Sequence, residues 1–412
     1  MSDTHDPYQA LRFSGFRLLL IGIFIVGLGE RMIDVAIGWE LYEQTGSALV
    51  LGGVGLALVI PVIFLSLPAG HIIDRFNRKY IVIISQVFLA LASLGLTALS
   101  YTRGSLVLVY GCLMLYGCAT AFNSPAAATL VPQVVEENAF ENAVTWDSSA
   151  GQLASVLGPA LGGLLIAILG GATLVYAINA GMILVFVCLL FFLREIRQPA
   201  PRHETTTLKS LGEGLKFLRS TRVILASITL DMFAVLLGGA TTLLPIYAKN
   251  ILHVGPAGLG WLRAAPAIGA LCMSFAIAHM PPFKRAGRTL LLAVTGFGVA
   301  TIVFGISRSF WLSLLMLALL GGFDNISVVI RSTLLMTRTP NALLGRISAI
   351  NFIFIGASNE LGGFESGLVA QFLGPVITVV GGGIGTILVV LLVALIWPEM
   401  RRLGAMSIHV KS

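Results

Sequence analysis

The chain has 412 residues, 57% of them apolar and only 11% charged. Soluble domains carry about 25% charged residues, so a soluble enzyme, a disordered tail protein and a disulfide-stapled secreted domain are excluded. Twelve bilayer-crossing helices of about 20 residues would occupy ~240 positions, close to the apolar share. The net charge of +7 points toward nucleic acid only until the basic residues are placed. Cys112, Cys118, Cys188 and Cys272 all lie in apolar runs, with no CxxC pair and no histidine cluster nearby. They read as small packing residues, not as a metal site or a disulfide framework.

Met1 to Gly15 is polar and lacks the basic-then-apolar pattern of a cleaved signal, so Phe16 opens a first span that stays. Apolar runs bounded by charges, proline or glycine predict helices over 16–41, 47–69, 80–101, 105–124, 143–168 and 172–193. Six more follow over 223–248, 257–280, 289–307, 310–334, 347–372 and 375–397. The reading is an all-α membrane protein of twelve transmembrane helices. It has an N-terminal six-helix half over 1–193, a cytoplasmic linker over 194–222 and a C-terminal six-helix half over 223–412. In the linker Leu208, Leu211, Leu215 and Leu218 recur at helical spacing, which predicts an interfacial amphipathic helix. Pro199 and Pro201 leave a flexible linker as the alternative.

Orientation follows from the placement of Lys and Arg. With the N-terminus in the cytoplasm, 21 of the 26 basic residues fall in or beside cytoplasmic segments, including Arg75, Arg78, Lys79, Lys284, Arg285, Arg288, Arg401 and Arg402. Arg103, Lys249 and Arg308 fall outside, and Arg31 and Arg263 within spans. The positive charge is then a topology signal with both termini inside, and no nucleic-acid partner is expected.

The turn between the second and third spans reads Gly70-His71-Ile72-Ile73-Asp74-Arg75-Phe76-Asn77-Arg78-Lys79. Asp74 can pair with the nearby arginines, and Asn77 tolerates the left-handed backbone that a tight turn needs. In the fifth span Gly151 is followed by Gly158-Pro159-Ala160-Leu161-Gly162-Gly163. Small residues at this spacing let helices approach closely, and Pro159 removes one backbone donor. Two further stretches are Ala121-Phe122-Asn123-Ser124-Pro125-Ala126 with Leu130-Val131-Pro132, and Arg331-Ser332-Thr333-Leu334 through Thr339-Pro340-Asn341 to Gly345-Arg346-Ile347-Ser348-Ala349.

Together these resemble the major facilitator superfamily. The loop is similar to its GxLaDRxGRK signature, with Asn77 where glycine is usual, and the fifth-span run is similar to the GPxxGG motif of its antiporters. The second-half counterpart of the loop, Pro282-Phe283-Lys284-Arg285-Ala286-Gly287-Arg288, is degenerate. The other two stretches resemble the drug:proton antiporter branch that includes the enterobactin exporter and macrolide efflux proteins. The resemblance covers nearly the whole chain. It implies two six-helix bundles around a central cavity that rock between inward-open and outward-open states, with Gly70, Asp74, Arg75 and Arg78 in the gating loop. Many proton-coupled exporters of the superfamily carry an arginine in the fourth span. Here Leu106 to Tyr116 holds no charge, so proton coupling must use other residues.

Charges within spans cost several kcal/mol and usually face a cavity or a partner. The first span carries Glu30, Arg31 and Asp34. Glu30 and Asp34 share a helix face, and Arg31 sits three before Asp34. The alternative to a functional cluster is a structural Arg31–Asp34 pair with Glu30 hydrated near the outer surface. Asp231 lies nine residues past Arg222, ~13 Å into the seventh span, and is a candidate for cavity function, with Arg263 of the next helix as its structural alternative. Asp324, beside Asn325, sits near the middle of the tenth span. Glu360 and Glu365 lie in a run of small and polar residues that suits close helix contact as well as function. Asp147, near the start of the fifth span, can pair with the basic loop.

A carboxyl group in a low-dielectric cavity exchanges protons near neutral pH. Asp231, with Glu30, Asp34 or Asp324, is therefore expected to link proton binding to the alternation of states. Trp39, Tyr110, Tyr116, Phe233, Phe323 and Phe354 on the cavity helices suit an amphiphilic solute. The expectation is a secondary transporter of the cytoplasmic (inner) membrane that exports a drug- or siderophore-like solute by alternating access, as a proton antiporter. A lysophospholipid flippase, a metal-ion exporter of the same fold and a membrane receptor without flux are the alternatives. An enzyme is disfavoured because no Ser-His-Asp, HExxH or paired Cys/His constellation occurs. No cofactor is indicated. The expected partners are the solute, protons and the lipid bilayer, and the chain is expected to be a monomer.

Overall fold

A computed structural model describes residues 6–193, 216–218, 221–281 and 283–404. Its long helices are α1 (Ser14–Thr45), α2 (Ala48–Arg75), α3 (Arg78–Thr102), α4 (Leu106–Ala128), α5 (Phe140–Leu169) and α6 (Thr173–Phe192). They continue as α7 (Arg222–Leu237), α8 (Gly255–His279), α9 (Ala286–Ile306), α10 (Phe310–Arg338), α11 (Asn341–Leu373) and α12 (Pro375–Ile396). Among the described residues, ten helical stretches are long and apolar enough to cross a membrane by length and composition. α1 and α11 fall outside that set. Arg17, Glu30, Arg31 and Asp34 charge the first, and Ser358, Asn359, Glu360 and Glu365 make the second polar. The amphipathic helix expected over 208–218 lies outside the described residues except for its last three positions.

Local chemistry sets the helix ends. Asn77 caps α3 by accepting from the Lys79 N–H at 3.0 Å, and Ser105 caps α4 by accepting from Val107 N–H at 3.3 Å. Asn77 is extended, at φ −64° and ψ 117°, and not left-handed as its turn position suggested, because an N-cap residue needs the extended region. α2 runs on to Arg75, so Gly70 and Arg75 are helical and the connection to α3 shrinks to Phe76 and Asn77. Gly170 ends α5 at φ 72°, and Gly374 joins α11 to Pro375 at φ 85°; both positions need a residue without Cβ strain.

The chain divides into two compact units, Met1–Glu40 with Ala57–Thr205 and Leu41–Leu56 with Thr206–Ser412. In the first, α3 packs on α4 and on α6, around a core that includes Phe16, Leu19, Leu89, Leu130, Ile183 and Phe186. The segment before α1 is strapped to α5: Asn142 Oδ1 accepts from Ala10 N–H, and Trp146 Nε1 donates to the Pro7 carbonyl at 3.1 Å. In the second unit α9 packs on α10 and on α12, the same pairing six helices later. Its core includes Ile224, Leu230, Leu290, Ile330, Leu334 and Val390. Large apolar side chains such as Phe64, Phe192, Phe275 and Trp311 are turned outward in both units, as lipid-facing surfaces require.

The seventh span expected over 223–248 is one apolar helical stretch, Arg222–Ile251, but it is not one continuous helix. α7 stops at Leu237, and the chain continues through a 3-10 turn (Ala240–Leu243), a short helix (Leu244–Ile246) and a π-helical turn (Tyr247–Ile251). The break falls on Gly238-Gly239, and Pro245 beyond it has no N–H to give. A Cβ on Gly239 would lie 2.6 Å from Ser366 Oγ and 2.7 Å from the Gly362 carbonyl. α11 is therefore seated directly against the break.

Candidate functional site

In the second unit Asp231, at the middle of α7, forms an ion pair with Arg331 of α10 through Oδ2 and Nη1. The two side chains are only 8% and 9% exposed. Arg331 Nε also donates to Ser327 Oγ at 3.2 Å, one turn back on its own helix. The expected structural partner, Arg263, is not the one that Asp231 takes. Arg331, counted among the basic residues beside cytoplasmic segments, is instead held inside the helix packing. Sequence reasoning quoted Arg331 in a motif and missed it as a site residue. The available signal was its position seven residues after Asp324, two turns along one helical face.

Asp324 lines a cavity of about 320 Å³ at the break in α7. Thr241 and Thr242 of the 3-10 turn, Phe297 of α9, Asn359 of α11 and Gly321 of α10 share that lining. Gly321 lets α10 approach α8 so closely that a Cβ there would overlap the Pro266 carbonyl. Asp324 and Asp231 both lie within the electrostatic reach of Arg331. Two acids thus share one base, and with all three ionised the group carries one excess negative charge in a low-dielectric setting. Thr241, Thr242 and Phe297 were not singled out from the sequence.

In the first unit Glu30 lies near the midpoint of the 32-residue α1, not close to its outer end. Arg31 Nη1 and Asp34 Oδ2 are 3.7 Å apart, with side chains 54% and 42% exposed, a loose pair. Tyr116 of α4 lies within electrostatic reach of Glu30, Asp34 and Arg31. Gly158 and Gly162 bring α5 against the back of this cluster. A Cβ on Gly158 would overlap Arg31 Cβ, and one on Gly162 would lie 2.9 Å from Met32 Cα. Pro159 and Gly163 are buried in the same stretch.

The remaining candidates are dispersed. Arg75 is exposed and Arg78 half-buried at the α2–α3 connection, while the Asp74 side chain lies outside the described set. Asp147 lines a separate cavity of about 270 Å³ with Ile23, Pro132, Phe140 and Val144. Among the described residues it makes no ion pair. In the second unit the tip of the α1–α2 hairpin rests on α11: Gly55 packs on the Glu360 carboxylate, and Ser47 Oγ donates to Gln371 Oε1 at 3.0 Å. Glu360 is thereby part of a helix contact, and Glu365 is close to Ser366 Oγ at 3.5 Å. Among the described residues, no group of three His, Cys, Asp or Glu side chains is gathered to hold a metal ion.

Residues 5–408 match the family described as transmembrane secretion effector. The chain belongs to that family, within the major facilitator superfamily. It is 27% identical to the enterobactin exporter EntS of Citrobacter koseri over 401 residues, 97% of this chain and 94% of that one. The enterobactin exporter of Shigella boydii is 26% identical over the same span. The fold is similar to that of the nucleoside transporter NupG, with a TM-score of 0.73 at 12% identity over 94% of this chain and 100% of the other. It is also similar to an inward-facing bacterial homologue of the lysosomal transporter Spinster, with a TM-score of 0.71 at 14% identity over 97% and 98%. The chain is a multi-pass membrane protein of an exporter family, and its all-helical fold is of the major facilitator type.

Proposed function

We propose that this member of the transmembrane secretion effector family is a proton-driven exporter of a small amphiphilic solute. It would span the cytoplasmic membrane twelve times, with both termini inside, and work by alternating access. The observation that carries the reading is the buried Asp231–Arg331 pair with Asp324 two turns away on α10. Discontinuous membrane helices commonly frame binding sites near the bilayer midplane, and here the break in α7 lies beside that acid group. Two carboxylates and one guanidinium balance only when one further positive charge is present. A proton meets that need, and its arrival or departure changes the electrostatic cost of exposing the site to either side. Glu30, Asp34 and Tyr116 form a second candidate group in the first unit.

The test is transport by Asp231→Asn in proteoliposomes, with and without a pH gradient, using enterobactin and ethidium as probes. The wild type is expected to accelerate with the gradient, and the variant to keep only gradient-independent flux. Undiminished gradient-driven transport by the variant would remove Asp231 from the mechanism.

A further inference from the structure

The cavity at the α7 break has a one-sided polar lining. Among the described residues, Asp324 is its only charged wall residue; the other polar side chains are Thr241, Thr242 and Asn359. Asn359 Nδ2 donates to the Ile355 carbonyl at 2.9 Å, which leaves its amide oxygen as the end able to receive a ligand. Arg331 is committed to Asp231 and Ser327. Among the described residues no donor is hydrogen-bonded to the Asp324 carboxylate. Phe297 supplies an aromatic wall and is fixed at the break, since a Cβ on Gly238 would lie 2.7 Å from its ring.

We infer that this pocket is the counter-ion site for the positively charged end of an organic ammonium solute. Asp324 supplies the charge, Phe297 the aromatic face, and the oxygens of the two threonines and Asn359 further partial negative charge. An anion would meet a carboxylate with no base on the wall, and a neutral apolar solute would leave that carboxylate with only the distant base it shares with Asp231. An aromatic face favours a weakly hydrated organic cation. At about 320 Å³ the pocket lies near the small end of ligand sites, so it takes a head group or a compact amine and not a whole macrocycle. The inference rests on the exporter reading and deepens it by naming the chemistry of the solute's charged end.

Equilibrium binding of radiolabelled benzyltrimethylammonium to the purified full-length protein in detergent tests it. Saturable binding is expected for the wild type, weakened at least about tenfold by Asp324→Asn and several-fold by Phe297→Leu, and unchanged by Glu399→Gln. The Phe297→Leu arm keeps the test informative if Asp324→Asn does not fold. No saturable binding to the wild type, or binding by a folded Asp324→Asn that equals it, overturns the proposal. Because this measurement needs no proton gradient, the coupling role of Asp231 and the ligand class of the pocket succeed or fail separately.

Discussion

Arg331 of α10 holds Asp231 of α7 in an ion pair enclosed by the second unit, with Ser327 as the guanidinium's other partner. Enclosure makes the pair asymmetric in its response to mutation. Removing one member strands a buried charge, at a cost of about 3–5 kcal/mol, whereas replacing both by apolar residues of similar volume is close to neutral. Arg331→Met is therefore expected to melt well below the wild type in detergent, since it leaves Asp231 and Asp324 without their shared base. The double variant Asp231→Leu with Arg331→Met is expected to recover the part of that stability lost through Asp231, though not the part lost through Asp324, while losing gradient-driven transport. Equal melting of all three proteins would show that the pair is hydrated in solution.

The helices of this chain were legible because lipid imposes long apolar runs, and charges or prolines mark their ends. Asp231 and Asp324 were legible for the same reason, as acids that break such runs. Arg331 was not, because it lies near the end of a span and was absorbed into the count of topology charges. The Gly238-Gly239 break was hidden inside an apolar stretch whose composition is the same whether the helix continues or stops. Thr241, Thr242 and Phe297 acquire their meaning only from packing, since separate elements bring them to one cavity.

The glycines of α5 are not equivalent, although their spacing makes them look like one motif. Gly162 meets the Met32 backbone at a distance that leaves no room for a methyl group, whereas a Cβ on Gly151 meets nothing within 4 Å. Gly162→Ala is expected to cost about 1–3 kcal/mol through overpacking of α5 on α1. Gly151→Ala is expected to be neutral or stabilising by up to about 1 kcal/mol, from helix propensity alone. Thermal melting of the two single variants separates close helix crossing from a requirement for helix flexibility, which would make both harmful to transport.

Outside the spans, Glu399 next to Pro398 pairs with Arg222 at the start of α7, 3.2 Å away, with both side chains largely in solvent. Its own backbone N–H, and then Arg222, hold the carboxyl below its ordinary range. A depressed folded value means that the contact stabilises the folded state above the ordinary carboxylate range of about 4.3 and is lost as pH falls through the folded value. Fluorescence of Trp397 in a variant lacking the other tryptophans is expected to be flat from neutral pH down to that range and to change below it. Glu399→Gln is expected to remove the change, and high salt to blunt it, because the pair is exposed.

In the first unit Asn179 of α6 is wholly buried, and its Nδ2 donates to Ser93 Oγ of α3 at 2.9 Å. Among the described residues its Oδ1 has no hydrogen-bond partner, and it points at Gly29 of α1, where a Cβ would overlap it. Gly29→Ala therefore requires the buried Asn179 amide to move or α1 to shift from α6 one residue before Glu30, and a loss of stability is expected. Asn179→Ala removes the obstructing amide but opens a void, and Ser93 stays satisfied through the Leu89 carbonyl. In the double variant the new methyl group enters that void, so its melting temperature is expected to lie above that of Gly29→Ala alone. The coupling between the two sites is expected at about 0.5–3 kcal/mol, the range for residues in direct contact. If the two losses simply add, then the close approach of Gly29 to Asn179 is not what sets the position of α1 against α6 beside Glu30, and other close approaches, such as Gly22 on Phe186, carry it.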